Sequence, residues 1–277
     1  MPVTRFAPSP TGLLHLGHAY SALFAERAAE GGRFLLRIED IDTARCRPEF
    51  ETAIFDDLAW LGLAWEEPVR RQSDHFADYE AALSRLKEIG VVYPCFCTRK
   101  EIQAEIARMT GAPQGPDGPL YPGTCRRLDR EEAARRIAAG EPHAIRLNVA
   151  AALSRTGPLD WHDQARGRQR ATPEALGDVV LSRKDAPSSY HLAVTVDDHL
   201  QGVTLVTRGL DLFPSTHVHR LLQALLGYAP PDYHHHGLVT DERGERLAKR
   251  ADSRAIRAYR EQGLSPAEVR RVAGWLE

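Results

Sequence analysis

Two histidines, His15 and His18, stand three residues apart just after the run Pro8-Ser9-Pro10-Thr11-Gly12. The prolines force an extended path and Gly12 permits a tight turn, so the run reads as the exit from a short buried strand at 3–6. Apolar spacing from Leu16 through Ala19, Leu23 and Phe24 then predicts a helix whose first turn carries both imidazoles. Imidazoles and free backbone N–H groups together at a helix start form an anion site suited to nucleotide phosphates. A second group, Glu39-Asp40-Ile41-Asp42, closes the predicted strand 33–38, at the end where open parallel sheets take ligands. Asp42 or Thr43 also reads as a helix cap. A third group is Cys95-Phe96-Cys97 with Cys125, three thiols that suit a tetrahedral Zn²⁺ and leave one ligand position open. His234-His235-His236 does not read as a metal site, because neighbours on a strand face opposite ways.

The elements that must position these groups alternate between the two periodicities. Residues 48–63 form an amphipathic helix with Phe50, Ile54, Leu58 and Leu61 on one face, stopped at Gly62. Residues 79–89 repeat that pattern with Leu83 and Leu86 inward, Gly90 closes it, and 91–93 is a strand. A charged helix at 130–140 and strands at 143–148 and 179–183 follow. Residues 202–209 are a buried strand ending at Arg208, and Asp211 caps a helix carrying Val218, Leu221, Leu222 and Leu225 inward. The pattern is α/β.

With 277 residues, 43% hydrophobic and 27% charged, the chain matches a globular protein able to bury a full core. A net charge of −2 excludes general electrostatic attraction to nucleic acid, leaving local basic clusters. Candidates are Arg126, Arg127 and Arg130; Arg166, Arg168 and Arg170; and Arg246, Lys249, Arg250 and Arg254. No apolar run is long enough to span a membrane, and the N-terminus has no signal-peptide pattern, so cytoplasm is the expected compartment. There a disulfide framework is not expected of four cysteines.

The stretch from Arg5 to His18 resembles the first signature of the class I aminoacyl-tRNA synthetases, with His15-Leu16-Gly17-His18 standing where the family has "HIGH". Its flank, 5–12, is similar to the glutamyl and glutaminyl branch, as is Arg37-Ile38-Glu39-Asp40-Ile41-Asp42. Gly244-Glu245-Arg246-Leu247-Ala248-Lys249-Arg250 resembles the second signature, "KMSKS", with Lys249 at its catalytic lysine and the serines replaced. The order of matches covers nearly the whole chain. The resemblance implies a Rossmann-like parallel-sheet catalytic domain in two halves, 1–94 and 186–240. It implies an inserted zinc-containing α+β subdomain at 95–185 that faces tRNA, and a loop and short helical stem at 241–277.

The resemblance also implies chemistry: glutamate and ATP give glutamyl-adenylate and pyrophosphate, with Mg²⁺ accompanying ATP. His15, Gly17, His18 and Lys249 then bind ATP, the two histidines and Lys249 acting in catalysis. Arg5, Ala7, Ser9, Glu39, Tyr190 and Arg208 bind L-glutamate, Ser9 and Glu39 at its amino group. Arg5, Tyr190 and Arg208 face its side-chain carboxylate, which away from water needs a cation and a hydroxyl donor. A short subgroup of the branch carries C-x-C followed by Y-x₃-C, and Tyr121 and Cys125 match that spacing, which makes Tyr121 the fourth ligand beside Cys95, Cys97 and Cys125. That subgroup places glutamate on the queuosine base of tRNA(Asp). The few tens of residues after the second signature are too short for the helical anticodon-binding region of its longer relatives. A monomer that activates glutamate without tRNA is expected. A truncated enzyme charging the 3′ end of tRNA(Glu) and a non-catalytic RNA- or nucleotide-binding protein remain alternatives.

Overall fold

Strand β1 (Val3–Phe6) is buried at every position and leaves through the two prolines into α1 (Leu16–Ala28). Gly31, at φ 74°, turns the chain back into β2 (Arg33–Ile38), which pairs parallel with β1 from Val3↔Arg33 to Phe6↔Leu36. The computed structural model describes residues 1–109, 114–116, 118–237 and 254–275. Helix α2 (Pro48–Trp60) opens on proline and buries Ile54, Leu58 and, just past its end, Leu61. It has no side-chain cap at Arg47, so neither Asp42 nor Thr43 plays that part, and Asp42 pairs instead with Arg45 and Arg183. Strand β3 (Glu66–Arg71) joins β2 in parallel and was not foreseen. Its sequence, Glu-Glu-Pro-Val-Arg-Arg, has no apolar alternation because it lies half-buried at the sheet edge.

Helix α3 (Phe76–Glu88) starts three residues earlier than its apolar spacing indicated, and β4 (Val92–Cys95), α4 (Arg99–Arg108), β5 (Gln114–Gly115) and β6 (Gly118–Pro119) follow. Next come α5 (Arg130–Ala138), β7 (Ala144–Leu147), α6 (Val149–Thr156), β8 (Asp160–Asp163), β9 (Gly167–Arg170) and β10 (Val180–Ser182). Strands β10, β7 and β4 make an antiparallel sheet of their own. The last described elements are α7 (Tyr190–Leu200), β11 (Leu205–Gly209), α8 (Phe213–Leu226), β12 (Asp232–His236), α9 (Ile256–Glu261) and α10 (Pro266–Val272). Asp211 does not cap α8: Leu212 holds the cap position without a side-chain bond. Leu226 is buried on that helix, and Leu225 is only partly so.

Strands β11, β12 and β8 run parallel, with β9 antiparallel at the edge. Residues 160–170 therefore hydrogen-bond with the parallel sheet, although they fall within the stretch expected as one continuous insert. Trp161 explains the placement: its indole is buried against Val206 and Tyr233 rather than beneath β7 and β10. Strands β1 and β11 belong to two ladders, β1–β2–β3 and β11–β12–β8–β9, which adjoin where Thr204, just before β11, donates its N–H to Val3 O at 3.0 Å and its Oγ1 accepts the Val3 N–H at 2.9 Å. From that pair the chain winds outward both ways, to β2 and β3 and to β12 and β8. The reversal is a topological switch point, where open α/β sheets bind ligands.

One core lies where α1 and α2 cover β1 and β2, and Ile256 and Val269 from the C-terminal helices complete it. A second fills the space among α3, α7, α8 and β7. Ile256 N–H donates to Leu14 O at 2.8 Å and Ala255 bridges to His15, so the chain returns beside the first histidine. Among the described residues no helix is long and apolar enough to cross a membrane. Leu58 is 0% exposed at the centre of the first core. Leu58→Ala is expected to cost about 2–5 kcal/mol, read as a lowered midpoint of urea unfolding with an unchanged slope.

Candidate active site

Helix α1 begins at two stacked imidazoles, His15 and His18, with ring centroids 3.7 Å apart. His15 Nδ1 accepts the Gly17 N–H at 3.1 Å, and His18 Nδ1 accepts the His15 N–H at 3.2 Å, so the pair caps the helix reciprocally. A ring nitrogen that accepts carries no proton, so each neutral ring bears its proton on Nε2. Burial lowers the pKa of both rings, that of His18 to about 3 with His15 adding to the effect. The His15 and Gly17 amides are thus already engaged, which corrects the expectation of free amides there. What these two histidines offer an anion is Nε2–H. Gly17 leaves room for the His15 ring, since a Cβ at that position would lie 3.0 Å from His15 Cε1 and the ring would have to shift.

The loop that precedes this turn is fastened to the end of β2, where Glu39 N–H donates to Pro8 O at 3.0 Å. Half-buried Ala7 and exposed Ser9 flank that link. Arg37, in the apolar heart of β2, is 0% exposed, and a buried guanidinium must be paired. Its Nη1 donates to Asp198 Oδ1 at 2.8 Å and Gln201 Oε1 at 2.9 Å, and its Nη2 to Glu39 Oε1 at 3.2 Å. Arg5 clasps the same carboxylate with two nitrogens, at 2.9 and 3.3 Å, and donates to Thr207 O at 3.3 Å. Burial opposes ionisation of Asp198, yet Arg5 and Arg37 hold its pKa below the usual carboxylate range. For Glu39 burial prevails and the pKa rises, against Arg37 and Arg5. Neighbouring Asp197 accepts from Arg70, Gln72 and Tyr79 at 2.7–3.0 Å.

Arg208 follows Thr207 on β11 and donates to Tyr190 Oη at 3.3 Å. Burial raises the Tyr190 pKa, and Arg208, Glu39 and Arg5 all act on its hydroxyl. Arg5, Glu39, Tyr190 and Arg208 are thus gathered around one place at the switch point, although 203 positions separate the two arginines in the chain. Arg208 differs from Arg5 and Arg37. Only 6% exposed, it hydrogen-bonds to Tyr190, Thr216, His219 and His235, and among the described residues no carboxylate lies within ion-pair distance of it. Lys249 lies outside the described residues.

The three cysteines converge as their spacing indicated. The sulfurs of Cys95, Cys97 and Cys125 lie within 4.8 Å of one another, with Cys97 and Cys125 at 3.3 Å. Four ligands at 2.3 Å around one zinc would stand about 3.8 Å apart, so the group fits a shared ion. Tyr121 Oη is 3.4 Å from Cys95 Sγ and 3.6 Å from Cys97 Sγ, and it accepts the Cys125 N–H at 2.9 Å. Among the described residues no other group gathers three such side chains. The histidine run does not converge, since His234 meets Gln164, His235 meets Asp163 and His236 meets the Gly237 carbonyl. The basic clusters are partly neutralised: Arg126 pairs with Asp178, and Arg168 and Arg170 face Asp160. Arg246, Lys249 and Arg250 lie outside the described residues.

A family model described as tRNA synthetases class I (E and Q), catalytic domain, matches residues 2–274. The chain belongs to this family. The glutamyl-Q tRNA(Asp) synthetase of Rhodobacter capsulatus is 51% identical, the match covering 98% of this chain and 99% of that protein. A glutamate–tRNA ligase of Coprothermobacter proteolyticus is 39% identical, and the match covers 95% of this chain but 56% of that protein. The crystal structure of a glutamate tRNA ligase from Elizabethkingia meningosepticum with its amino acid is similar at TM-score 0.78 and 29% identity. This chain spans 60% of that structure's chain. The parallel ladders that adjoin at the switch point are thus the α/β catalytic fold of class I.

Reading the sequence missed the carboxylates that hold these arginines, Asp197 and Asp198, and the role of Arg37. A signal was present, because a charge inside an apolar run of β2 or α7 has to be paired. Burial also holds His191 and His235 at about 4, with Arg208 adding to it. With His18 these rings stay neutral in the folded chain, whereas the unfolded chain takes up their protons below about pH 6.5. Stability from these groups is therefore complete above that pH and is lost as pH falls toward 4. Each ring contributes about 1.4 kcal/mol per pH unit inside the window. Urea midpoints measured from pH 7 to 4.5 are expected to fall, and His191→Gln to make the decline shallower.

Proposed function

We propose that this chain activates L-glutamate with ATP, needing no tRNA for that step, and then transfers the glutamyl group to the queuosine base in the anticodon of tRNA(Asp). The observation that carries the substrate reading is Arg208, a buried guanidinium beside a tyrosine hydroxyl with no carboxylate among the described residues to neutralise it. Such a group is a receptor for an incoming carboxylate; Tyr190 offers its hydroxyl beside it, and Arg5, although paired with Asp198, would add positive potential. Glu39, with Ser9 and Ala7 on the loop fastened to it, would hold the ammonium group. The acceptor reading is supported by the higher identity to the Rhodobacter relative than to the glutamate–tRNA ligases.

In the first step an oxygen of the glutamate α-carboxylate attacks the α-phosphorus of ATP, and the bond to the bridging oxygen breaks, releasing pyrophosphate. Charge grows on phosphate oxygens, so catalysis is positioning and electrostatics. The Nε2–H groups of His15 and His18 would donate to those oxygens, with Gly17 holding the rings in place. Lys249, six residues before the anchor at Ala255, would neutralise the departing pyrophosphate. Mg²⁺ bound with ATP supplies further positive charge. In the second step a queuosine hydroxyl attacks the activated carbonyl carbon and AMP leaves.

Cys95, Cys97, Tyr121 and Cys125 would hold one structural Zn²⁺, tying β4 to the turn that carries Cys125. We assign 1–94 and 186–240 to the catalytic domain, 95–185 to a tRNA-facing insert whose residues 160–170 return to the parallel sheet, and 241–277 to the second signature and stem.

Labelled glutamate is expected to reach queuosine-containing tRNA(Asp), not tRNA(Asp) lacking queuosine. Label on the 3′ end of tRNA(Glu) would overturn the acceptor assignment, and absence of glutamate-dependent ATP–pyrophosphate exchange would overturn the substrate. Cys97→Ser should lower zinc content by elemental analysis, and equal metal in both proteins would remove the proposed site.

A further inference from the structure

We infer that Asp163 and His235 are positioning residues for substrate recognition, locking a neutral imidazole against Arg208 so that its guanidinium is aimed without being neutralised. The inference rests on the reading above that Arg208 receives the substrate's side-chain carboxylate. Three neighbouring strands deliver the parts. Arg208 on β11 is the cross-strand partner of His235 on β12, and Tyr233 on β12 is the partner of Asp163 on β8.

The hydrogen bonds assign the tautomer. Asp163, 0% exposed, accepts the amides of Ala165 and Arg166 on Oδ1, each at 3.0 Å. Its Oδ2 accepts His235 N–H at 3.2 Å and meets His235 Nδ1 at 2.6 Å. An ionised carboxylate only accepts, so Nδ1 carries the proton and Nε2 presents a lone pair. That lone pair accepts Arg208 Nε–H at 3.2 Å and, at 3.1 Å, the Thr216 hydroxyl, whose oxygen in turn accepts from Arg208 Nη2. Arg208 Nη1 donates to Tyr190 Oη and to His219 Nδ1, both at 3.3 Å. All four partners are neutral. Phe213, Trp161 and Tyr233 wall the His235 ring, with centroids at 5.0, 5.7 and 6.0 Å, and keep water from it.

The chemistry needs this indirection. A carboxylate placed directly on Arg208 would compete with the substrate, and a protonated His235 would repel the guanidinium. Asp163 held one ring away orients the imidazole and leaves the positive charge for the ligand, as the orienting carboxylate of a catalytic triad does for its histidine. Asp163→Asn offers an amide that can donate to Nδ1, moving the ring proton to Nε2, where it opposes Arg208 Nε–H.

The test is glutamate-dependent ATP–pyrophosphate exchange by the full chain, with KM measured separately for glutamate and ATP. For Asp163→Asn and His235→Phe the KM for glutamate is expected to rise at least about tenfold, with the KM for ATP changed less than about twofold. His235→Gln, which keeps an acceptor, is expected to restore most of the glutamate affinity. An unchanged glutamate KM in folded Asp163→Asn or His235→Phe overturns the inference. So does a joint rise of both KM values with a lowered melting temperature and no rescue by His235→Gln. If Asp163→Asn does not fold, the two His235 variants decide. A wild-type chain inert toward glutamate would sink the substrate reading and this inference together, whereas an active wild type with indifferent variants sinks this one alone.

Discussion

A single carboxylate, Asp198, joins the guanidinium groups of Arg5 and Arg37 and so ties α7 to β1 and β2 at the switch point. Removing three such charges from water is costly, and the cost is offset only where every partner is in place. Here Glu39, Gln201 and the Thr207 carbonyl add partners, and Arg37 Nε, which makes no hydrogen bond, stands 3.7 Å from Asp197 Oδ2. Asp197, one residue earlier, extends the same network to Arg70, Gln72 and Tyr79 and so draws in β3 and α3. Displacing Asp198 would strand two buried guanidinium groups at the floor of the candidate site.

Against that floor the site contains two kinds of arginine. Arg5 and Arg37 are paired and structural in effect, whatever further contact Arg5 makes with a ligand. Arg208 is held by neutral acceptors and keeps its charge. The distinction comes from which element delivers the partner: α7 brings Asp198 to the first pair, while β12 and α8 bring His235, Thr216 and His219 to Arg208. The two histidines of α1 follow a similar logic. Each uses one ring nitrogen to cap the helix while burial lowers its pKa, and each leaves Nε2–H for a ligand. Pairing of the chain at Ala255 with His15 holds the C-terminal helices to the same edge of the site.

Local pattern made much of this legible. Proline, glycine and apolar spacing located β1, α1, β2 and α2, because these signals act within a few residues of the chain. The cysteine spacing located the one group of three metal-ligating side chains among the described residues. Strand β3 was invisible because an edge strand half-open to solvent needs no apolar alternation. The pairing of β8 and β9 with the parallel sheet was invisible because it depends on where Trp161 is buried, which no local pattern states.

By itself the sequence determined the α/β class, the order of elements, the histidine turn, the cysteine group and, through its motifs, the family. Only the tertiary structure decided which carboxylate Arg5 and Arg37 share, that Arg208 meets none among the described residues, and that His235 faces Asp163. The reason is physical: charge pairing in a core acts between residues far apart in the chain, and the sequence records each partner's presence but not its neighbour.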